Sequence, residues 1–224
     1  MTTRWSILAI IVLITVSHGK TLIVDSEGTG NSTTISGAVY MAIPGDEILI
    51  KPGTYAGATI DRSLSISGSH EAKINSQGDS VLQVTAQGCT ISNLSINGSS
   101  SNPGIVIQSS DNTLTRCFVQ GSSAGISIDG RNNTIIENQI DSSLGIELTA
   151  AGCRVLNNTF KGSMGIRIKN VSDNDIRSNE IATDTGIELN SSSKNNIEGN
   201  SFTGIRYGVV LSKSSLNQLS ENNI

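Results

Sequence analysis

The sequence predicts an all-β fold: a single-stranded parallel β-helix, a three-faced solenoid with coils of 20–22 residues and a short N-terminal capping helix. Three observations carry this. First, a unit opening Gly-Ile-x-Ile recurs at Gly104-Ile105-Val106-Ile107, Gly125-Ile126-Ser127-Ile128, Gly145-Ile146-Glu147-Leu148, Gly165-Ile166-Arg167-Ile168, Gly186-Ile187-Glu188-Leu189 and Gly208-Val209-Val210-Leu211. A period of this size with no long helical pattern inside it marks a solenoid whose repeats pack on their neighbours. Second, the apolar residues within a unit alternate in short runs, as in Ile126, Ile128, Ile135 and Ile140. Bounded by Gly, Ser, Asn and Asp, such runs are strands and turns. Third, Asn returns at two fixed places in the unit. Equivalent strands then stack in parallel at about 4.8 Å per coil, in coils the size of a three-faced β-helix.

Residues 1–19 read as a secretory signal peptide. Arg4 supplies the positive end, Ile7 to Val16 are almost wholly apolar, and Ser17-His18-Gly19 places small residues before Lys20. That core is short of the roughly 20 apolar residues that span a bilayer. No second stretch of spanning length follows, so the expectation is an extracytoplasmic protein, secreted or held in the cell envelope, without a membrane span after cleavage. Residues 20–80 read as the cap and first coils, and 81–224 as the repeats, one continuous domain. Thr21 to Val24 form a strand; Ile35, Ala38, Val39 and Ala42 have helical spacing; Pro44-Gly45-Asp46 turns the chain into Glu47-Ile48-Leu49-Ile50-Lys51. A short amphipathic helix there covers the open end of the first coil. The last residue, Ile224, falls on a core lane with no capping device, from which end-to-end self-association or a longer native chain is expected.

The two Asn lanes run Asn112, Asn133, Asn174, Asn195 and Asn217, and Asn138, Asn158, Asn179, Asn200 and Asn222. Asn tolerates left-handed turns, and its amide bonds to backbone or to a stacked Asn, so both lanes read as structural turn ladders. Cys89 and Cys153 replace Asn in the first lane and Cys117 in the second. Three coils, roughly 14 Å, separate Cys89 from Cys153, beyond disulfide reach; all three read as buried free thiols. Glu147, Arg167 and Glu188 hold the outward position of consecutive strands, and a stacked charge ladder accounts for them. The catalytic reading makes Glu147 and Glu188 a carboxylate pair about 9.5 Å apart over two coils, at the upper edge of inverting-glycosidase spacing, with Arg167 where sugar and water must fit. The other acidic residues, Asp129, Asp141, Asp173, Asp175 and Asp184, read as single turn residues.

Composition excludes some classes. Signal removal takes the formal charge from −4 to −5, because Arg4 is lost, and the basic residues are scattered, so nucleic acid is not an expected partner. Aromatics are 3% of the chain, too few for stacking platforms. Sequons at Asn31, Asn93, Asn97, Asn132, Asn157, Asn170 and Asn190 fit an exported protein, although the repeat itself generates such matches.

Ile35 to Tyr55, ending Gly45-Asp46-Glu47-Ile48-Leu49-Ile50-Lys51-Pro52-Gly53-Thr54-Tyr55, resembles the opening cap of the pectin-lyase-like superfamily. The Gly-Ile-x-Ile and Asn-x-Ile-x-x-Asn-x-Ile units resemble the repeats of periplasmic copper-binding NosD-like proteins and of the related carbohydrate-binding and sugar-hydrolysis domain. The resemblance spans essentially residues 20–224. It implies a right-handed winding and an archaeal source, and is specific for fold rather than activity. Pectin methylesterases of the superfamily use paired Asp with Arg and Gln, polygalacturonases a tight Asp cluster, and pectate lyases acidic calcium ligands beside a basic residue. None of these sets maps onto this chain. Copper wants converging Cys, Met or His, whereas His70, Met41, Met164 and the ladder cysteines lie in different coils; no cofactor is expected. Four readings stand in order: a non-catalytic exported module binding carbohydrate or an envelope partner, a structural spacer, a polysaccharide lyase or hydrolase, and a metal-site accessory protein. In the first, the Asn, Ser and Thr lanes offer donors and acceptors in register with a repeating polymer.

Overall fold

The computed structural model describes residues 19–75 and 80–224; the signal-peptide reading of residues 1–19 falls almost wholly outside them. The chain winds through about eight turns of a parallel β-solenoid with three faces. The first face stacks strands from Thr21–Val24 through Thr113–Thr115, Thr134–Ile136 and Arg154–Leu156 to Gln218–Ser220, each paired in parallel with the next. The second contains Ser95–Asn97, Phe118–Gln120 and Gln139–Asp141, and the third Ile105–Ile107, Ala124–Ile128 and Leu144–Leu148. In the later coils, single long strands, Thr159–Lys169 and Glu180–Asn190, run through both faces.

Alternation in sequence becomes alternation across the wall. Each face turns apolar side chains inward in strict register, two lanes on the third face, through Ile126 and Ile128, and one on each of the others: Ile91, Leu114, Ile135, Val155, Ile176 and Ile197 on the first. On the second the lane runs Ile96, Val119, Ile140, Phe160 and Ile181. All of these are buried, each worth about 1.5–3 kcal/mol against exposure. The coils ahead of the regular repeat vary in length: Ile48 to Ile66 takes 18 residues, Ile66 to Ile91 25, and Ile91 to Leu114 23. The difference is absorbed at corners, because the inward lanes leave no room for an extra residue in a strand.

The helix Ile35–Met41 buries Ile35, Ala38 and Val39 over the first coil. Its N-cap is Thr34, whose hydroxyl accepts from the Gly37 N–H at 3.1 Å. Asp46 clips the helix exit to the strand entry by accepting from the backbone N–H groups of Lys20 and Ile43, both at 2.9 Å. These bonds, the Ile43 N–H first, hold its carboxyl below the usual range. In the coil that ends at residue 224, Leu211, Leu219 and Ile224 are exposed.

Candidate functional site

The Asn side chains are consumed by the fold. In the second lane the Oδ1 atoms of Asn138, Asn158, Asn179, Asn200 and Asn222 each accept the backbone N–H of the lane residue one coil earlier, at 2.9–3.0 Å. In the first lane Asn112, Asn133, Asn174, Asn195 and Asn217 do the same at 2.8–3.0 Å. The Nδ2 groups return to carbonyls: Asn158 donates to Ile135 at 2.9 Å and Leu156 at 3.0 Å. Buried from Asn112 to Asn200, half-buried at Asn217 and Asn222, and bonded throughout, these amides are taken up by the fold, which corrects the expectation that the Asn lanes offer a recognition surface.

The left-handed conformation belongs to the residue before each ladder position. Arg116, Glu137, Asn157 and Ser178 have φ of 52–59°, whereas the ladder residues Cys117, Asn138, Asn158 and Asn179 do not. Such a non-glycine residue costs roughly 1–2 kcal/mol, and the ladder bonds offset it. Asn is selected for its two-sided amide, not for tolerance of positive φ.

The three cysteines imitate Asn. The Cys117 thiol donates toward Thr115 O at 3.4 Å and Ile91 O at 4.0 Å, the counterparts of the carbonyls that Asn138 uses at Ile136 and Leu114. Its sulfur accepts from the Leu94 and Asn93 N–H groups, yet burial dominates and pushes the thiol up to about 12. Cys89 and Cys153 are raised for the same reason. All three are free and buried.

Glu147, Arg167 and Glu188 do stack in register on the third face. Arg167 Nε donates to Glu188 Oε2 at 3.0 Å, and among the described residues its ion pair is to Glu188 and not to Glu147. The cation therefore neutralises one member of the carboxylate pair and stands between the two. A second charged group lies on the first face, where Arg177 pairs with Asp175 in its own strand and with Glu198 one coil on at 3.9 Å. Asp141, Asp175 and Asp184 lie in strands, not in the turns expected for them. His70 is exposed in a turn and reaches across to Arg116 O at 2.9 Å, closing one corner.

A recess of about 510 Å³ beside His70, Arg116 and Glu137 lies at the corner between the first and second faces, and a polar groove of about 620 Å³ runs along the corner between the second and third. It exists because corner length changes there. Seven residues, 98–104, join Ser95–Asn97 to Ile105–Ile107, whereas the next coils turn with residues 121–123 and 142–143. The long corner forms an end wall over the recess left by the short ones. One side is an amide ladder: Asn97 Nδ2 donates to Asn75 Oδ1 and Gln120 Nε2 to Asn97 Oδ1, both at 2.8 Å. Asp141 continues this lane, with Lys161 next in it, and is the one ionisable residue among the described residues that line the groove. The floor is Ser and Gly, and coil packing sets the glycines: a Cβ on Gly98 meets Ser122 Oγ at 1.8 Å and one on Gly162 meets Ser142 O at 1.9 Å. Ser142 lines the groove, is 5% exposed, and its Oγ has no hydrogen-bond partner. No local sequence signal marks this site beyond the extra residues between Asn97 and Gly104.

The donor set does not suit copper. The thiolate is the ligand form of Cys, and here the thiols are raised and bonded into the ladders. Met41 lies on the capping helix, Met164 in a late coil and His70 in an early corner. Among the described residues no three His, Cys, Asp or Glu side chains converge to hold a metal ion, and no helix is long and apolar enough to cross a membrane.

A sequence profile of the family described as periplasmic copper-binding protein (NosD) matches residues 39–224. No curated protein matches the chain in sequence. Among solved structures, pectin methylesterase from carrot superposes with a TM-score of 0.63 at 12% identity, over 90% of this chain and 83% of that one. Pectate lyase Pel9A gives 0.60 at 14% identity, over 94% and 80%. The alginate lyase from Paenibacillus sp. str. FPU-7 gives 0.56 at 14% identity, over 92% and 99%. At these identities the likeness is one of fold: the right-handed parallel β-helix of the pectin-lyase-like class.

Proposed function

From the premise that this chain belongs to the periplasmic copper-binding protein (NosD) family, we propose that it is an exported, non-catalytic β-helix module that binds a carbohydrate chain of its cell envelope surroundings. The observation that carries this reading is the groove of about 620 Å³, whose lining is hydroxyl, amide and glycine with a single carboxylate. Hydrolysis or elimination needs at least two converging ionisable groups of distinct protonation. Among its described residues the groove has one; at the other recess the His70 imidazole is taken up by Arg116 O; and on the third face Arg167 separates Glu147 from Glu188 while pairing with the latter. The copper in the family description finds no converging donors among the described residues, so the reading routes nothing through metal. Export is supported by the signal-like residues 1–19 and by the periplasmic description of the family.

The test incubates mature protein with insoluble and soluble polysaccharides, with and without calcium, and assays protein depletion and released oligosaccharides together. Depletion without products is the expected outcome. Released products that disappear in Glu147→Gln or Glu188→Gln would overturn the non-catalytic reading.

A further inference from the structure

Resting on that reading, we infer that the corner groove takes an uncharged, polyhydroxylated glycan lying along the solenoid axis, and that Ser142 supplies a hydrogen bond to it. The charge argument comes first. A polyuronate carries a carboxylate on every residue and needs a cation for each one it buries. Among the described residues lining the groove there is no Lys or Arg, and Asp141 adds a negative charge. The nearest cation in that lane, Lys161 one coil on, stands beside Asp141 and outside the lining, so a polyuronate meets one positive charge for its whole row of carboxylates. A neutral glycan brings hydroxyls, each both donor and acceptor, which suit a wall of amides, serines and one carboxylate.

Ser142 is the second, independent observation. Its hydroxyl is withdrawn from water without a hydrogen bond, a condition that folded proteins rarely leave without another use. The corner Ser122, one coil earlier, places its Oγ 3.5 Å from Gln120 O, whereas Ser142 has no such acceptor. Because Ser142 lines the groove, rotation about its single χ1 bond offers the hydroxyl to a ligand.

The groove contains no aromatic ring, so affinity rests on hydrogen bonds and is modest, and affinity electrophoresis is the suitable assay. Gly121 permits a clean plug: its φ is +72° and an added Cβ meets nothing nearer than Gly98 O at 3.5 Å. Asn accepts that conformation, so Gly121→Asn obstructs the groove while preserving the corner.

Mature wild type, Ser142→Ala and Gly121→Asn are run through gels containing hydroxyethyl cellulose, β-1,4-mannan or dextran, and through polygalacturonate and alginate. Circular dichroism melts are recorded for each protein. The inference expects retardation by at least one uncharged glycan and none by the polyuronates. It expects a 3- to 10-fold loss of affinity, the scale of one hydrogen bond, in Ser142→Ala, with a melting temperature equal to or above wild type. Gly121→Asn is expected to be folded and unretarded. Retardation by polyuronates alone overturns the uncharged class but leaves the binding module standing. Retardation by neutral glycan that survives Gly121→Asn overturns the groove, and a lowered melting temperature in Ser142→Ala overturns the role of the orphan hydroxyl. No retardation by any polymer overturns the binding reading itself, and this inference with it.

Discussion

Replacing Asn158 by Ala tests the central claim about what holds the coils together. Asn158 is 1% exposed and sits mid-lane. Its Oδ1 accepts from Asn138 N at 2.9 Å and Asn138 Nδ2 at 3.0 Å, and the two hydrogens of its Nδ2 are shared among Ile135 O, Leu156 O and Asn179 Oδ1 at 2.9–3.1 Å. Truncation leaves the Asn138 N–H buried without a partner, at about 2 kcal/mol, and removes two bonds to carbonyls at about 1 kcal/mol each. The expected loss is therefore about 4 kcal/mol. The assay is urea unfolding followed by circular dichroism, with amide hydrogen exchange at Asn138 as the local readout. Asn158→Asp sharpens it. The Asp variant keeps the acceptor for Asn138 but turns a second acceptor toward Ile135 O and Leu156 O. Burial among carbonyls raises its folded pKa above the ordinary value of about 3.9. A raised carboxyl contributes most below the unfolded pKa and loses that contribution as pH rises through the folded one. The gap between Asn158→Asp and wild type should then narrow as pH falls toward 4. A loss under 1 kcal/mol for Asn158→Ala, or an Asp variant whose deficit is independent of pH, would refute the ladder account.

Three further outcomes are expected. Cys153→Asn joins Asn133 to Asn174 in an unbroken lane and replaces weak thiol bonds to Gly130 O and Ala151 O, at 3.5 and 3.9 Å, by amide donors; a gain of about 1 kcal/mol in urea unfolding is expected, and a loss would show that the thiol is packed too tightly to exchange. Asp25 is held at about 2 by the Thr29 hydroxyl first, then the Glu27 N–H and Lys51. A depressed carboxyl contributes stability above its unfolded pKa of 3.8 and loses it as pH falls through about 2, so Asp25→Asn should flatten the acid limb of a melting-temperature profile, and an unchanged limb would sink that assignment. For a polypeptide of residues 20–224, in which Leu219 and Ile224 are exposed beside a sheet edge, we propose end-to-end association; sedimentation should show concentration-dependent dimers that Leu219→Lys removes, and a monodisperse monomer at high concentration would contradict it.

The solenoid was legible before any coordinates because a β-helix is nearly one-dimensional: each coil touches its neighbours, so the sequence period is the spatial period. Alternation placed Ile126, Ile128, Ile135 and Ile140 on three inward-facing walls, the spacing of Ile35, Ala38, Val39 and Ala42 marked the cap, and the cysteines showed themselves as members of Asn lanes. Only the tertiary structure decided what those lanes do at their corners. It moved the left-handed residue to the position before each ladder Asn, because the stacked amide needs an ordinary φ to reach the coil below. It gave Arg167 to Glu188 and not to Glu147, although both are its neighbours in register, since a side chain's direction along the stack is set by packing rather than by period. The groove, too, is invisible to periodicity. It arises where residues 98–104 lengthen one corner against shorter successors, and its orphan Ser142 sits in a two-residue corner without the acceptor that Ser122 finds in a three-residue one. Repetition writes the walls of such a protein into its sequence; departures from repetition make the site, and their shape exists only once the coils are stacked.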